Sequence, residues 1–262
     1  MTEIKKEVIQ EELKRLELEE NVRILYACES GSRAWGFPSK DSDYDVRFIY
    51  IRPVEWYLSV FERRDVIERP ISDMLDISGW DLRKALGLLR KSNPPLLEWL
   101  QSPIKYGEYY SSAERIRRLA SKAFSPKSCM FHYLNMARGN FREYLQGDVV
   151  RIKKYFYVLR PVLACEWIVK FGEMPPLEFH RLVEEIVPEG SELHAVIQEL
   201  LARKMRGEEL DREPRIDVLN AYLDSRLIML EEMTRAADSP ADPIQMERLD
   251  EVFRDTLAEA WR

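Results

Sequence analysis

Two short stretches of the chain carry residues whose types and spacing suit phosphate and metal chemistry. Asp43 and Asp45 flank Tyr44 and are followed by an apolar run. In a strand, residues two apart face the same side, so the two carboxylates converge on one point. Two hard oxygen ligands at one point suit Mg²⁺, with Mn²⁺ as a substitute. The ion commonly takes one or two carboxylates and completes its octahedron with water and substrate phosphates. Gly31-Ser32 is separated from Asp43 by ten intervening residues. There a glycine lets backbone N–H groups approach a phosphate, the serine adds a hydroxyl donor, and a following helix N-terminus favours the anion. Metal and the triphosphate of an NTP then meet in one cleft. Arg33, next to the turn, is placed to touch phosphate or to pair with a nearby acid.

A calcium loop is the competing metal reading, because Asp41-Ser42-Asp43-Tyr44-Asp45 imitates the first half of an EF-hand. It fails at the sixth position, where the sharp turn needs Gly and the chain has Val46. It fails again at the twelfth, where a bidentate Glu is needed and Arg52 stands. A solvated turn before an edge strand is the plain structural alternative for an isolated Asp-x-Asp; the Gly-Ser turn and flanking strands argue against it.

The elements that must position these residues follow from apolar periodicity. Ile4, Val8, Leu13 and Leu16 recur near helical spacing, which predicts an amphipathic helix ending near Asn21. Val22 to Cys28 reads as a strand running into Glu29-Ser30-Gly31-Ser32, and Tyr44 to Ile51 as a second strand stopped by Pro53. Asp65 to Ile71 and Met74 to Ser78 read as a third and a fourth, the last feeding a helix near Trp80 or Asp81. From about Ser112 onward no strand is expected. Helices are predicted at 126–146, 148–171, 176–186, 191–206, 216–236 and 244–261, punctuated by Pro and Gly.

Composition bounds the function. A third of the 262 residues are charged and no apolar run approaches the ~20 residues of a membrane span. The first twenty residues lack an apolar signal core, so the expectation is a soluble, cytoplasmic protein with no membrane partner. Cys28, Cys129 and Cys165 are far apart and form no CxxC pair, which suggests neither a disulfide framework nor a zinc site. The net charge of −6 hides an uneven distribution. Lys105 to Arg160 holds 12 Lys and Arg against 4 Asp and Glu, a balance of +8 that leaves −14 for the remainder. Seven tyrosines are interleaved there, a pattern that suits phosphate and base contacts and equally suits helices with solvated basic faces. Within it Lys153, Tyr157 and Arg160 share a helix face, with Lys154 on a neighbouring one and Pro161 placed to bend the helix. These four are candidate nucleotide contacts, and Arg138 and Arg142 are candidate acceptor contacts. His132, His180 and His194 share no metal-ligand spacing.

The segment ESGSRAWGFPSKDSDYDVRFIYI, residues 29–51, resembles the Gly-Ser then Asp-x-Asp signature of polymerase β type nucleotidyltransferases. Together with LDISGWDLRKALGLLRKSNPPLLEWLQSP, residues 75–103, and KKYFYVLRPVLACEWI, residues 153–168, it more narrowly resembles the RNA-repair-associated polymerase β group of bacteria and phages, often linked to RNA ligases. The resemblance implies an α+β protein. Its expected parts are a nucleotidyltransferase domain with a small mixed sheet over residues 1–110, and an all-helical domain over 111–262 that closes the cleft and contacts nucleotide or acceptor. It also implies that the carboxylates of Asp43 and Asp45 bridge two metal ions, and that a third on a neighbouring strand binds the ion activating the attacking hydroxyl. Asp76, in Leu75-Asp76-Ile77, matches that third position. Asp73, which precedes the apolar run, and Asp81, which sits where it would cap the next helix, are its rivals. The implied reaction is Mg²⁺-dependent transfer of a nucleoside monophosphate from an NTP to an acceptor hydroxyl with release of pyrophosphate, with an RNA 3′-end as the first-choice acceptor. Nucleotidylation of a protein side chain or small molecule is the second reading, and a low-turnover nucleotide-binding or antitoxin-like partner protein is the third.

Overall fold

Burial of one apolar stripe starts the fold. Ile9, Leu13 and Leu16 lie on the buried face of α1 (Lys6–Glu20), which stops where Asn21 turns left-handed at φ 49°, a conformation Asn tolerates. The computed structural model describes residues 4–40, 42–71, 74–237 and 245–262. After α1 come β1 (Arg23–Glu29), the single turn α2 (Gly31–Ala34), β2 (Tyr44–Ile51), α3 (Val54–Tyr57), β3 (Val66–Glu68) and β4 (Leu75–Asp81). Then follow α4 (Leu82–Arg90), α5 (Pro94–Gln101), β5 (Lys105–Glu108) and α6 (Ser112–Ala123). The expected mixed sheet is present as five strands in the order β3-β4-β2-β1-β5, with β2 and β4 parallel and the remaining pairs antiparallel. Parallel pairing of β2 with β4 sets Asp45 opposite Asp76 and Phe48 opposite Gly79. A Cβ on Gly79 would lie 2.2 Å from the Phe48 ring, so only glycine leaves that ring its place in the core. Val46, Phe48, Tyr50, Ile24 and Ile77 pack with the α1 stripe beneath the sheet.

The rest of the chain is mostly helical: α7 (Pro126–Tyr144), α8 (Lys154–Phe171), α9 (Phe179–Ile186), α10 (Glu192–Met205) and α11 (Asp217–Ala236). Their core is built from residues such as Tyr133, Leu134, Leu159, Val162 and Leu223. It differs from an all-helical domain in one respect. Residues 149–151, expected to open a long helix, instead form β6 (Val149–Arg151), which pairs antiparallel with β7 (Arg212–Pro214). The β-branched pair Val149-Val150 favours that extended backbone, and α8 starts only after it. The final helix, α12 (Met246–Ala260), packs on α4 and α6.

The chain accordingly divides into two compact units: Met1–Ala34, Ser42–Ala123 and Asp242–Arg262 form one, Trp35–Asp41 and Phe124–Ala241 the other. This differs from a boundary at 110/111. Periodicity predicts α12 but gives no separate helix over 112–123, where α6 lies, and it does not say what either packs on; both pack on the sheet-bearing unit. Arg115 of α6 pairs with Asp255 of α12 at 2.5 Å, and Phe253 of α12 meets Tyr57 edge-on at 4.9 Å. Among the described residues no helix is long and apolar enough to cross a membrane, and the three cysteines are buried and free.

Candidate active site

The register of β2 and β4 places two of the candidate carboxylates side by side. Along β2 the buried side alternates through Tyr44, Val46 and Phe48, which turns Asp45 and Arg47 to the opposite face of the sheet. Asp76 stands level with Asp45 on the neighbouring strand. Both carboxylates are about a third exposed, and both are met by one guanidinium. Nη2 of Arg47 donates to Asp45 Oδ1 at 3.0 Å and to Asp76 Oδ2 at 2.7 Å, while its Nη1 donates to the Asp76 carbonyl at 2.9 Å. Two carboxylate oxygens therefore converge on one nitrogen. That donor set fits Mg²⁺, which needs no more than one or two carboxylates beside water and phosphate oxygens. Among the described residues no three His, Cys, Asp or Glu side chains, Asp43, Asp45 and Asp76 included, form a group that could hold a metal ion.

Arg47 was not singled out in the sequence, yet its position two residues beyond Asp45 puts it on the same face by the argument that pairs Asp43 with Asp45. A cation held between two carboxylates offsets their mutual repulsion. Arg47→Met is therefore expected to lower the stability of the metal-free protein by about 1–3 kcal/mol, the worth of hydrogen bonds to charged groups. Added Mn²⁺ should recover part of it. Thermal unfolding with chelator and with Mn²⁺ reads both; identical curves for variant and wild type would refute the bridging role.

The turn before β2 is organised around Asp45. Gly31 has φ +60°, and a Cβ there would fall 2.0 Å from Asp45 Oδ2. The glycine is thus required by backbone conformation and by the carboxylate pressed against it, a reason additional to the approach of a phosphate. Ser30 donates its N–H to the Asp45 carbonyl at 2.8 Å, and the Asp45 N–H donates to Glu29 Oε1 at 2.8 Å. Glu29, at the end of β1, is fully buried and also accepts a hydrogen bond from the Tyr106 hydroxyl. Burial raises its pKa to about 7 against the opposing pull of those two bonds.

Glu29 ionises near 4.5 when unfolded and near 7 in the fold, so the native state holds the proton longer. Its contribution to stability is full below about pH 4.5 and is lost as pH rises through about 7, a change of about 3 kcal/mol at ~1.36 kcal/mol per pH unit. Thermal unfolding in chelator from about pH 5 to about pH 8 should show that decline in wild type. Glu29→Gln should flatten it.

Asp43 is exposed and lies immediately before β2. Ser32 donates to the Ser42 hydroxyl at 3.2 Å. The Arg33 guanidinium stacks 3.7 Å over Tyr44 and donates to the Ser42 carbonyl at 2.9 Å, which ties down the segment entering β2. Asp81 is buried, accepts the Arg83 N–H at 2.8 Å as the N-cap of α4 and accepts from Tyr57 at 2.7 Å; these are the contacts of a structural cap. Asp73 lies outside the described residues.

In the second unit Lys153, Lys154 and Tyr157 line one cleft of about 750 Å³. Arg160 does not line it. Its guanidinium is buried 4.7 Å over the Trp35 ring and donates to the Leu177 carbonyl at 3.5 Å. Helical spacing put Arg160 on the face of Lys153 and Tyr157, but that face passes from solvent into core along α8. Arg138 and Arg142 line another groove, together with Asp224 and Glu231, and Arg138 pairs with Glu231 at 2.7 Å.

Comparison with known proteins bears on what this arrangement does. A Bacillus subtilis (strain 168) protein, YcgL, described as uncharacterized, is 53% identical over 257 residues covering 98% of each chain. A solved nucleotidyltransferase-like protein from Exiguobacterium sibiricum aligns over 97% of this chain and 81% of its own at 11% identity and TM-score 0.32, too distant to carry an argument. A family model described as RNA repair pathway DNA polymerase beta family matches residues 5–255. This match covers nearly the whole chain, including the Gly31 turn, Asp45 and Asp76, and the chain belongs to that family of polymerase β type nucleotidyltransferases.

Proposed function

We propose that the protein transfers a nucleoside monophosphate from an NTP to an acceptor hydroxyl, and that the acceptor is the 3′-end of an RNA. One observation carries the proposal: the in-register pair Asp45 and Asp76, with oxygens of both carboxylates converging on a single point. Asp43, Asp45 and Asp76 would hold Mg²⁺, which supplies charge neutralisation at the α-phosphate and the departing pyrophosphate. The acceptor oxygen forms a bond to the α-phosphorus as the bond to the bridging oxygen of pyrophosphate breaks. Asp76 takes the proton of the attacking hydroxyl, Asp45 fixes the geometry opposite it, and the Gly31-Ser32 turn orients the triphosphate. Glu29 and Gly31 hold Asp45 in place. Lys153, Lys154 and Tyr157 supply a further surface for nucleotide or acceptor.

RNA is favoured by the family's description and by the cations of the Lys105 to Arg160 stretch that stay exposed, such as Arg138, Arg142, Arg151 and Lys153; Tyr106, Tyr133, Tyr155 and Arg160 of that stretch are buried. The test incubates the protein with each α-labelled NTP and Mg²⁺ or Mn²⁺, in separate reactions with RNA, DNA and cell extract. Label on RNA is the expected result, reduced by high salt because phosphate contacts release counterions. Replacing Arg138 and Arg142 with Glu should weaken use of RNA while leaving NTP binding near its wild-type level. Label on a protein or small molecule instead would move the acceptor assignment to nucleotidylation of that class, and no label with any acceptor would contradict the proposal.

A further inference from the structure

A second site is built around a buried lysine that has no counter-ion among the described residues. Lys204, in the last turn of α10, is 7% exposed and lines the cleft that also holds Arg151, Lys153, Lys154 and Tyr157. Among the described residues it has no ion-pair partner. Burial first, and the like charge of Lys153 second, pull its pKa below the ordinary lysine value. The acids of the neighbouring loop do not answer it: Glu208 is held by Arg203 at 2.9 Å and Arg206 at 2.8 Å, and Glu209 and Asp211 line the cleft without pairing with Lys204. The loop is fixed to the start of α8, since the N–H groups of Ile152 and Lys153 donate to the carbonyls of Asp211 and Leu210 at 2.9 and 3.1 Å. A buried ammonium crowded by another cation is unfavourable until an anion enters.

We propose that this cleft is a phosphate-binding site, with Lys204 at its floor and Lys153 at its mouth receiving the phosphate groups of a nucleotide or of an RNA strand. Arg151 and Lys154 add positive charge at the rim, and a volume of about 750 Å³ suits a ligand of nucleotide size. Phosphate answers the arrangement better than a carboxylate because several cations face one space and a polyphosphate carries several charges. The inference extends the reading of Lys153 and Lys154 above by adding Lys204. It stands or falls separately, because binding is measured with chelator present and without turnover.

The experiment is a calorimetric titration of tripolyphosphate into wild type, Lys204→Met, Lys204→Arg and Lys153→Met, all in chelator. Wild type should bind saturably, Lys204→Met at least about tenfold more weakly, and Lys204→Arg nearly as wild type. Lys153 is exposed, so Lys153→Met decides the matter if Lys204→Met does not fold. Displacement by ATP alone assigns the phosphate to a nucleotide, and displacement by a short single-stranded RNA assigns it to a strand; either supports the site. Absence of saturable binding, or binding that neither Lys204→Met nor Lys153→Met weakens, overturns it.

Discussion

Asp45→Asn and Asp76→Asn are each expected to abolish nucleotidyl transfer, by a factor of about 10³ or more, while the protein remains folded. The magnitude follows from the several kcal/mol that a bound metal supplies to a transition state, at ~1.36 kcal/mol for each factor of ten. Fold is retained because Asn keeps an oxygen that can accept from Arg47, and because each carboxylate is partly exposed beside its neighbour rather than sealed in the core. The two variants should differ in how they fail. Asp76→Asn keeps NTP binding and loses turnover, since Asp76 is assigned to the attacking hydroxyl, whereas Asp45→Asn impairs both. The measurement is single-turnover transfer of an α-labelled NTP alongside nucleotide binding. Full activity in Asp76→Asn would return the third-carboxylate role to Asp73, because Asp81 is committed to capping α4.

Gly31→Ala is expected to be nearly as damaging, through geometry alone. A non-glycine residue pays about 1–2 kcal/mol in the left-handed region. The added methyl also meets Asp45 Oδ2 at 2.0 Å, so the carboxylate has to move. A displacement of about 1 Å at a reacting centre costs on the order of 10²-fold in rate. Stability should fall by at least the backbone cost, and transfer by about two orders of magnitude. The steric part has its own check: in an Asp45→Ala background the nearest Asp45 atom left is Cβ at 3.4 Å, so Gly31→Ala should cost less stability there than in wild type. Equal costs in the two backgrounds would show that Asp45 does not press on Gly31.

Much of this site is legible in the sequence, because strand alternation is a strict two-residue rule. The reading of Tyr44 to Ile51 as a strand holds in β2; Met74 to Ser78, read as a strand feeding a helix near Trp80 or Asp81, instead runs on as β4 to Asp81, and α4 starts at Leu82. What alternation does not give is the pairing partner. Asp76 facing Asp45 depends on parallel register, which Gly79 opposite Phe48 helps to fix and which is set by packing between strands. Arg47 was readable by the same rule that pairs Asp43 with Asp45, but a basic residue between two carboxylates is recognisable only once both strands are in place. Glu29 ended an apolar strand and gave no sign of its burial, which depends on Tyr106 arriving on β5 some 77 positions later. Arg160 shows the converse limit. Helical spacing puts it with Lys153 and Tyr157, and only the packing of α8 against Trp35 turns it inward.

Nucleotide transfer at these carboxylates is proposed to depend on metal and to expel pyrophosphate. The most direct test counts pyrophosphate released against α-labelled nucleotide transferred while Mg²⁺ is titrated, in wild type and in Asp45→Asn. The expected result is one pyrophosphate for each nucleotide transferred, a rate that rises with Mg²⁺ and vanishes in excess chelator, and neither product from Asp45→Asn. Transfer that persists in chelator, proceeds without pyrophosphate, or survives in Asp45→Asn would contradict it.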